Sequence, residues 1–205
     1  MRIRLYNENP NQRDILKVVE VLRNGGVIIY PTDTIYGIGC DITSQRSVDR
    51  ISQIMGIKKN KAMYSFLCHD LSHLSDYTRP LNNNIFRLMK KVLPGPYTFI
   101  LNANNNVPKL FESKKKTVGI RIPNNNIIRE IIKELENPIL SKSLPTDGEY
   151  IEYATDPDLI YEKYGDLVDV FIDGGYGDHT GSTVLDCTGD DFEVIRQGKG
   201  DIDSL

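Results

Sequence analysis

The chain has 205 residues, with 25 basic against 28 acidic side chains and a net charge of -3. That length predicts one domain over residues 1–205, burying roughly 70% of its extended surface, and the charge balance excludes a wholesale nucleic-acid coat while leaving room for a local basic patch. Cys40, Cys68 and Cys187 lie far apart without a CxxC pair, and no stretch resembles a signal peptide or reaches membrane-span length, so small core cysteines, no metal knuckle, no membrane partner and a cytoplasmic location are expected.

In chain order, residues 2–6 read as a strand, and Ile15, Val18, Val19 and Leu22 recur at helical spacing until Gly25 ends the helix. Residues 27–30 form a second strand. Ser44 is placed to cap a helix carrying Val48, Ile51, Ile54 and Met55, with Gly56 as its stop. A strand at 65–68, helical stretches at 71–77 and 84–92, and strands at 97–102 and 117–122 follow. Ile127, Ile128, Ile131, Ile132 and Leu135 make the clearest amphipathic helix. Strands at 139–143, 168–172, 184–187 and 192–196, with a helix at 157–164, complete the pattern. Strands and helices mix without strict alternation, which predicts an α/β (α+β) domain: one twisted, open, mixed sheet flanked by helices. The asparagine triplets at 82–84, 104–106 and 124–126 mark turns and helix starts.

The segment GGVIIYPTDTIYGIGCD, residues 25–41, is the most informative in the chain. An apolar, β-branched run ends at Pro31, which brings no N–H to a ladder. Thr32, Asp33 and Thr34 follow at once, as a ligand site at the end of a buried strand requires. A strand with a Thr/Asp turn is the alternative. Gly174, Gly175, Gly177 and Gly181 precede Ser182 and Thr183, so this backbone can approach a ligand closely or simply form a glycine-rich hairpin. No GxxxxGK(S/T) pattern exists. Lys58, Arg121 and Arg196 are candidate anion binders. Arg121, between Ile120 and Ile122, is either a paired structural ion or a carboxylate or phosphate clamp.

Read together, PTDTIYGIG, HD at 69–70, PGPYT at 94–98, TVGIRIP at 117–123, ILSKS at 139–143, FIDGG at 171–175, GSTVLD at 181–186 and VIRQG at 194–198 form an ordered set across the chain. This set resembles the YrdC/YciO/YwlC superfamily, and FRLMK before PGPYTFIL with KKKTVGIRIP is most similar to its YciO branch. The resemblance implies a concave sheet face that binds a nucleotide and threonine. Its best-known members condense threonine, bicarbonate and ATP, used with Mg2+ as a substrate, into threonylcarbamoyl-adenylate for a tRNA modification. By motif, Thr34, His69, Arg121 and Ser182 match threonine-holding positions, and Lys58, Thr117, Ser143 and Arg196 match ATP-holding ones. Lys58 and Arg196 are the candidate catalytic groups, offsetting charge as a carbamate oxygen attacks the α-phosphate.

Two departures accompany the resemblance. The synthase pattern has KxR and SxN where this chain reads Lys58-Lys59-Asn60 and Ser143-Leu144-Pro145. Half of the polar tetrad is absent, and proline offers no side-chain amide. The extra C-terminal domain of longer members and the zinc-finger and phosphatase-like modules of hydrogenase maturation are expected to be absent. The alternative function is tRNA or double-stranded RNA binding without chemistry, through Lys58, Lys59, Lys61, Lys114, Lys115, Lys116, Arg121 and Arg196. No aromatic is interleaved with these lysines, which leaves shape-based duplex contact as its mode. His69 and His73 are spaced as ligands on one helical face, but a substrate-facing imidazole or helix-start cap explains His69 better. Asp33 is expected to orient its loop and not to act as a base.

Overall fold

A computed structural model describes residues 1–57, 64–107, 116–146 and 152–205. Ten strands form one sheet among these residues: β1 Arg2–Arg4, β2 Ile28–Tyr30, β3 Gly37–Asp41, β4 Ser65–Leu67, β5 Tyr97–Asn102, β6 Thr117–Arg121, β7 Ile139–Ser143, β8 Val170–Asp173, β9 Thr183–Asp186 and β10 Glu193–Arg196. Their order is β1-β8-β2-β3-β7-β4-β6-β5-β9-β10. Pairing is mixed, with β1/β8, β2/β8, β4/β6 and β5/β9 parallel and the other neighbours antiparallel. Six α-helices accompany the sheet among the described residues: α1 Gln12–Arg23, α2 Gln45–Ile54, α3 Asn83–Val92, α4 Asn126–Leu135, α5 Glu152–Thr155 and α6 Pro157–Tyr164.

Period-two alternation divides the strands between two cores. Ile29, Ile38, Phe66, Phe99, Ile120, Leu140 and Phe171 point to one face, where α2, α3 and α6 add Ile51, Met89 and Ile160. Ile28, Tyr30, Leu67, Ile139, Val170 and Ile172 point to the other, packed with Ile15 and Val18 of α1 and Ile127, Ile128 and Ile131 of α4. The Asn125 and Asn82 side chains cap α4 and α3 by accepting from the Ile128 and Asn84 N–H groups.

Several local expectations change. The segment at 37–41 is a strand, and the stretch at 71–77 contains only a single 3-10 turn, Leu74–Asp76. There the backbone bonds run three residues back, from the Leu74 N–H to the Leu71 carbonyl at 3.2 Å, from the Asp76 N–H to the His73 carbonyl at 3.1 Å and from the Tyr77 N–H to the Leu74 carbonyl at 3.1 Å. His69 and His73 therefore share no helical face. Ser44 occupies the first flanking position of α2, but its hydroxyl pairs with that of Ser47 at 2.6 Å and caps nothing. The three cysteines are buried, and burial pushes each thiol up to about 12. Among the described residues, no helix is long and apolar enough to cross a membrane.

Candidate functional site

The α1/α4 face of the sheet carries small side chains where those helices leave off. Thr117, Gly119 and Arg121 of β6 share this face by alternation, and Gly119 stands opposite Ser65, which stands opposite Ser141 and then Gly39. Ser143 lies opposite Gly37 in the next row. A Cβ on Gly39 would come within 2.5 Å of the Leu140 carbonyl oxygen, and one on Gly119 within 3.2 Å of the Ser65 hydroxyl. These positions form a close-set floor of hydroxyls and bare backbone. Arg121 reaches the loop beyond β2, four strands away in the sheet order. With strands about 4.8 Å apart, the Arg121 side chain and this loop together bridge about 19 Å over this face and wall it in as a concavity.

Pro31 ends β2, and the next residues fold onto themselves. The Thr32 hydroxyl accepts from the Thr34 N–H at 3.0 Å and donates to the Ile35 carbonyl at 2.8 Å. Into this turn Arg121 inserts Nη2, placed 2.5 Å from Asp33 Oδ1, 2.6 Å from Thr34 Oγ1 and 3.2 Å from Thr32 Oγ1. The other Asp33 oxygen accepts from the Asn124 N–H at 3.0 Å. Asp33 thus orients the loop and its arginine. Arg121 is only 5% exposed, yet its Nε has no hydrogen-bond partner among the described residues. A buried cationic donor left unpaired is costly, and the usual resolution is a bound acceptor.

A second cluster adjoins the first. The Ser182 hydroxyl lies 2.8 Å from that of Thr98, and Arg196 donates to the Ser182 carbonyl from Nη2 at 2.8 Å and Nε at 3.2 Å. A Cβ on Gly181 would stand 3.6 Å from Ile35 Cδ1, and the Asp178 N–H donates to the Thr34 carbonyl at 3.2 Å. Thr34, Arg121, Ser182 and Arg196 therefore form one connected group. Tyr36 strengthens it: its hydroxyl donates to the Gly175 carbonyl at 2.7 Å and accepts from the Gly174 N–H at 3.1 Å, and burial raises its pKa to about 12. Burial, and after it the Arg196 charge, depress the Lys142 ammonium.

His69, just beyond β4, is half-buried and turns Nδ1 toward the Arg129 carbonyl at 3.1 Å, while the preceding Cys68 N–H donates to the Arg121 carbonyl at 2.9 Å. Thr117 and Ser143 share the concave face, separated by β4. Lys58 lies outside the described residues, as do Lys59, Asn60, Lys61, Lys114 and Lys115. An open cavity of about 700 Å³ borders the group, lined by Asp33, Thr34, Pro96, Asn124, Asp178 and Lys199 among others. Arg121 stands behind its wall, bonded to Asp33 and Thr34. Sequence reasoning does not single out Asp178, Asn124, Thr98 or Lys199. Only the GKG run hints at Lys199.

The fold and this group define an open-sheet α/β protein with a buried arginine among hydroxyls beside an open cavity. The model of the Sua5/YciO/YrdC family, described as "Telomere recombination", matches residues 20–198, and the chain belongs to that family. It is 41% identical over 200 residues to a protein called YciO, of uncharacterized function, from Escherichia coli K12, covering 97% of this chain and 95% of that one. The crystal structure of E. coli YciO superposes with a TM-score of 0.90 at 39% identity, covering 100% and 98% of the two chains. A threonylcarbamoyl-AMP synthase from Coxiella burnetii is 26% identical over 167 residues, 80% of this chain and 87% of that one.

Proposed function

We propose that the concave face binds the carboxylate of a threonine-type amino acid at Arg121 and an adenine nucleotide beside it, linking the protein to threonylcarbamoyladenosine metabolism of tRNA. The observation that carries this reading is the buried Arg121 guanidinium, whose Nε is unpaired while Nη2 is fixed by Asp33 and Thr34. A carboxylate accepting from the free part of that guanidinium restores the missing hydrogen bond. Thr34 and Ser182 then supply hydroxyls that select polar groups of the ligand. The relationship to a threonylcarbamoyl-AMP synthase supports the choice of amino acid.

For the nucleotide, the small residues of the floor give room, with Thr117 and Ser143 as hydroxyl contacts and Arg196 as a cation at the rim. In the synthase reaction the carbamate oxygen of threonylcarbamate forms a bond to the α-phosphorus and the α–β phosphoanhydride breaks, releasing pyrophosphate. Arg196 and Lys58, with Mg2+ brought by ATP, would offset the charge on the phosphates. Asn60 and Pro145 stand where the synthase pattern has arginine and asparagine. Weak synthase turnover beside intact amino-acid binding is the expected result. Cytoplasmic location follows from this role.

Calorimetry with L-threonine, ATP, AMP and tRNA at two salt concentrations tests the reading. Threonine binding strengthened by ATP supports it. Binding of tRNA alone, weakening steeply with salt, favours the RNA module. Arg121 is buried against Asp33, so a duplex would have to use the other cations.

A further inference from the structure

The tail beyond β10 is built into the site wall. A Cβ on Gly198 would lie 2.2 Å from the Gly181 carbonyl oxygen, and one on Gly200 would lie 2.5 Å from the Tyr97 ring. Only glycine lets the backbone pass so close on both sides of Lys199. Hydrogen bonds fix that path. The Gly198 N–H donates to the Thr183 hydroxyl at 2.9 Å, the Lys199 N–H to the Gly181 carbonyl at 2.8 Å, and the Thr183 hydroxyl to the Gly200 carbonyl at 2.6 Å.

The anchored backbone delivers the Lys199 ammonium to two other segments. Nζ lies 2.8 Å from the Asp33 carbonyl and 2.8 Å from Asp178 Oδ2. The Asp178 N–H in turn donates to the Thr34 carbonyl. The consecutive carbonyls of Asp33 and Thr34 are thereby tied, through Lys199 and Asp178, to the glycine-rich loop at 174–181. Partial burial works against the Asp178 carboxylate, but Lys199 and the Thr180 and His179 N–H groups outweigh it and bring its pKa down to about 2.

We propose that Lys199 is a positioning residue: it clasps the loop at 31–36 to the loop at 174–181, and so holds Thr34 and Arg121 at a fixed distance from Ser182. Its effect on ligand binding rests on the reading given above, whereas its effect on the two loops does not. The natural outcome of losing the clasp is local opening of both loops with the core intact.

The test compares wild-type protein with Lys199→Met, Asp178→Asn and Lys199→Arg by hydrogen exchange without ligand and by L-threonine calorimetry. In Lys199→Met and Asp178→Asn, exchange at 31–36 and 174–181 is expected to quicken about ten-fold while α4 stays unchanged. Threonine affinity is expected to fall about five-fold, and Lys199→Arg, which keeps charge and reach, to restore both readouts. Unchanged exchange at the two loops, or quickening equally spread into α4, overturns the proposal. So does quickened exchange with full threonine affinity. Where wild-type protein takes up no threonine, the functional reading falls by itself, and the exchange data with the arginine rescue decide the clasp.

Discussion

Arg121 carries two demands that seldom meet in one side chain, deep burial and an unspent donor. Arg121→Met leaves Asp33 buried without its cation, and a loss of about 3 kcal/mol of stability in urea unfolding is expected. Arg121→Lys keeps the charge but not the planar fork, and L-threonine binding measured by calorimetry should weaken about 10-fold or more. Asp178 gives a pH signature. Its folded pKa of about 2 lies below the ordinary carboxylate value of 3.8, so its contribution is present above pH 3.8 and is lost as pH falls through about 2. Since Lys199 is 44% exposed and Asp178 26%, solvent screening reduces that contribution to about 1 kcal/mol. Wild-type protein and Asp178→Asn should therefore differ by this amount in urea unfolding at pH 6 and converge near pH 2. The meeting of Thr34 with Arg121 was legible as a hydroxyl-rich strand end and a lone arginine in an apolar strand. Lys199 was not, because it lies 166 residues from Asp33 and its role depends on backbone contacts that spacing does not reveal.

Among the elements, α4 shows how far pattern alone reaches. Its four isoleucines and Leu135, at helical spacing, are all buried against α1 and the sheet, and Ile131→Ala should cost about 3 kcal/mol in urea unfolding. Strand β3 marks the limit. Gly37 and Gly39 look like loop residues, since glycine weakens a strand. Register against β7 explains them: the Leu140 carbonyl and the Tyr30 hydroxyl fill the space a Cβ at 39 would need. Gly39→Ala should cost about 2 kcal/mol and raise the floor of the nucleotide face, read as lower thermal stability and weaker ATP binding. The 71–77 stretch misled in the opposite sense. Leu71 and Leu74 have helical spacing, but the backbone there closes bonds three residues back, Leu74 to Leu71, Asp76 to His73 and Tyr77 to Leu74, in place of an α-helical ladder.

Across the whole molecule, segments distant in sequence converge on one face of the sheet. The loop after β2, the end of β6, the turn before β9 and the tail after β10 meet at one concavity, and each contributes a hydrogen bond that another segment completes. The mixed open sheet was legible from interleaved strands and helices, and the family resemblance from ordered motifs. The concavity was not, since it appears only when Arg121 is seen to meet a loop that lies past three intervening strands. The measurement that tests the account most directly is calorimetric titration of L-threonine, with ATP present, into wild-type protein and Arg121→Gln. The account predicts saturable one-to-one binding to wild-type protein and loss of measurable binding in the variant. Equal isotherms for the two proteins, or no heat from wild-type protein, would contradict it.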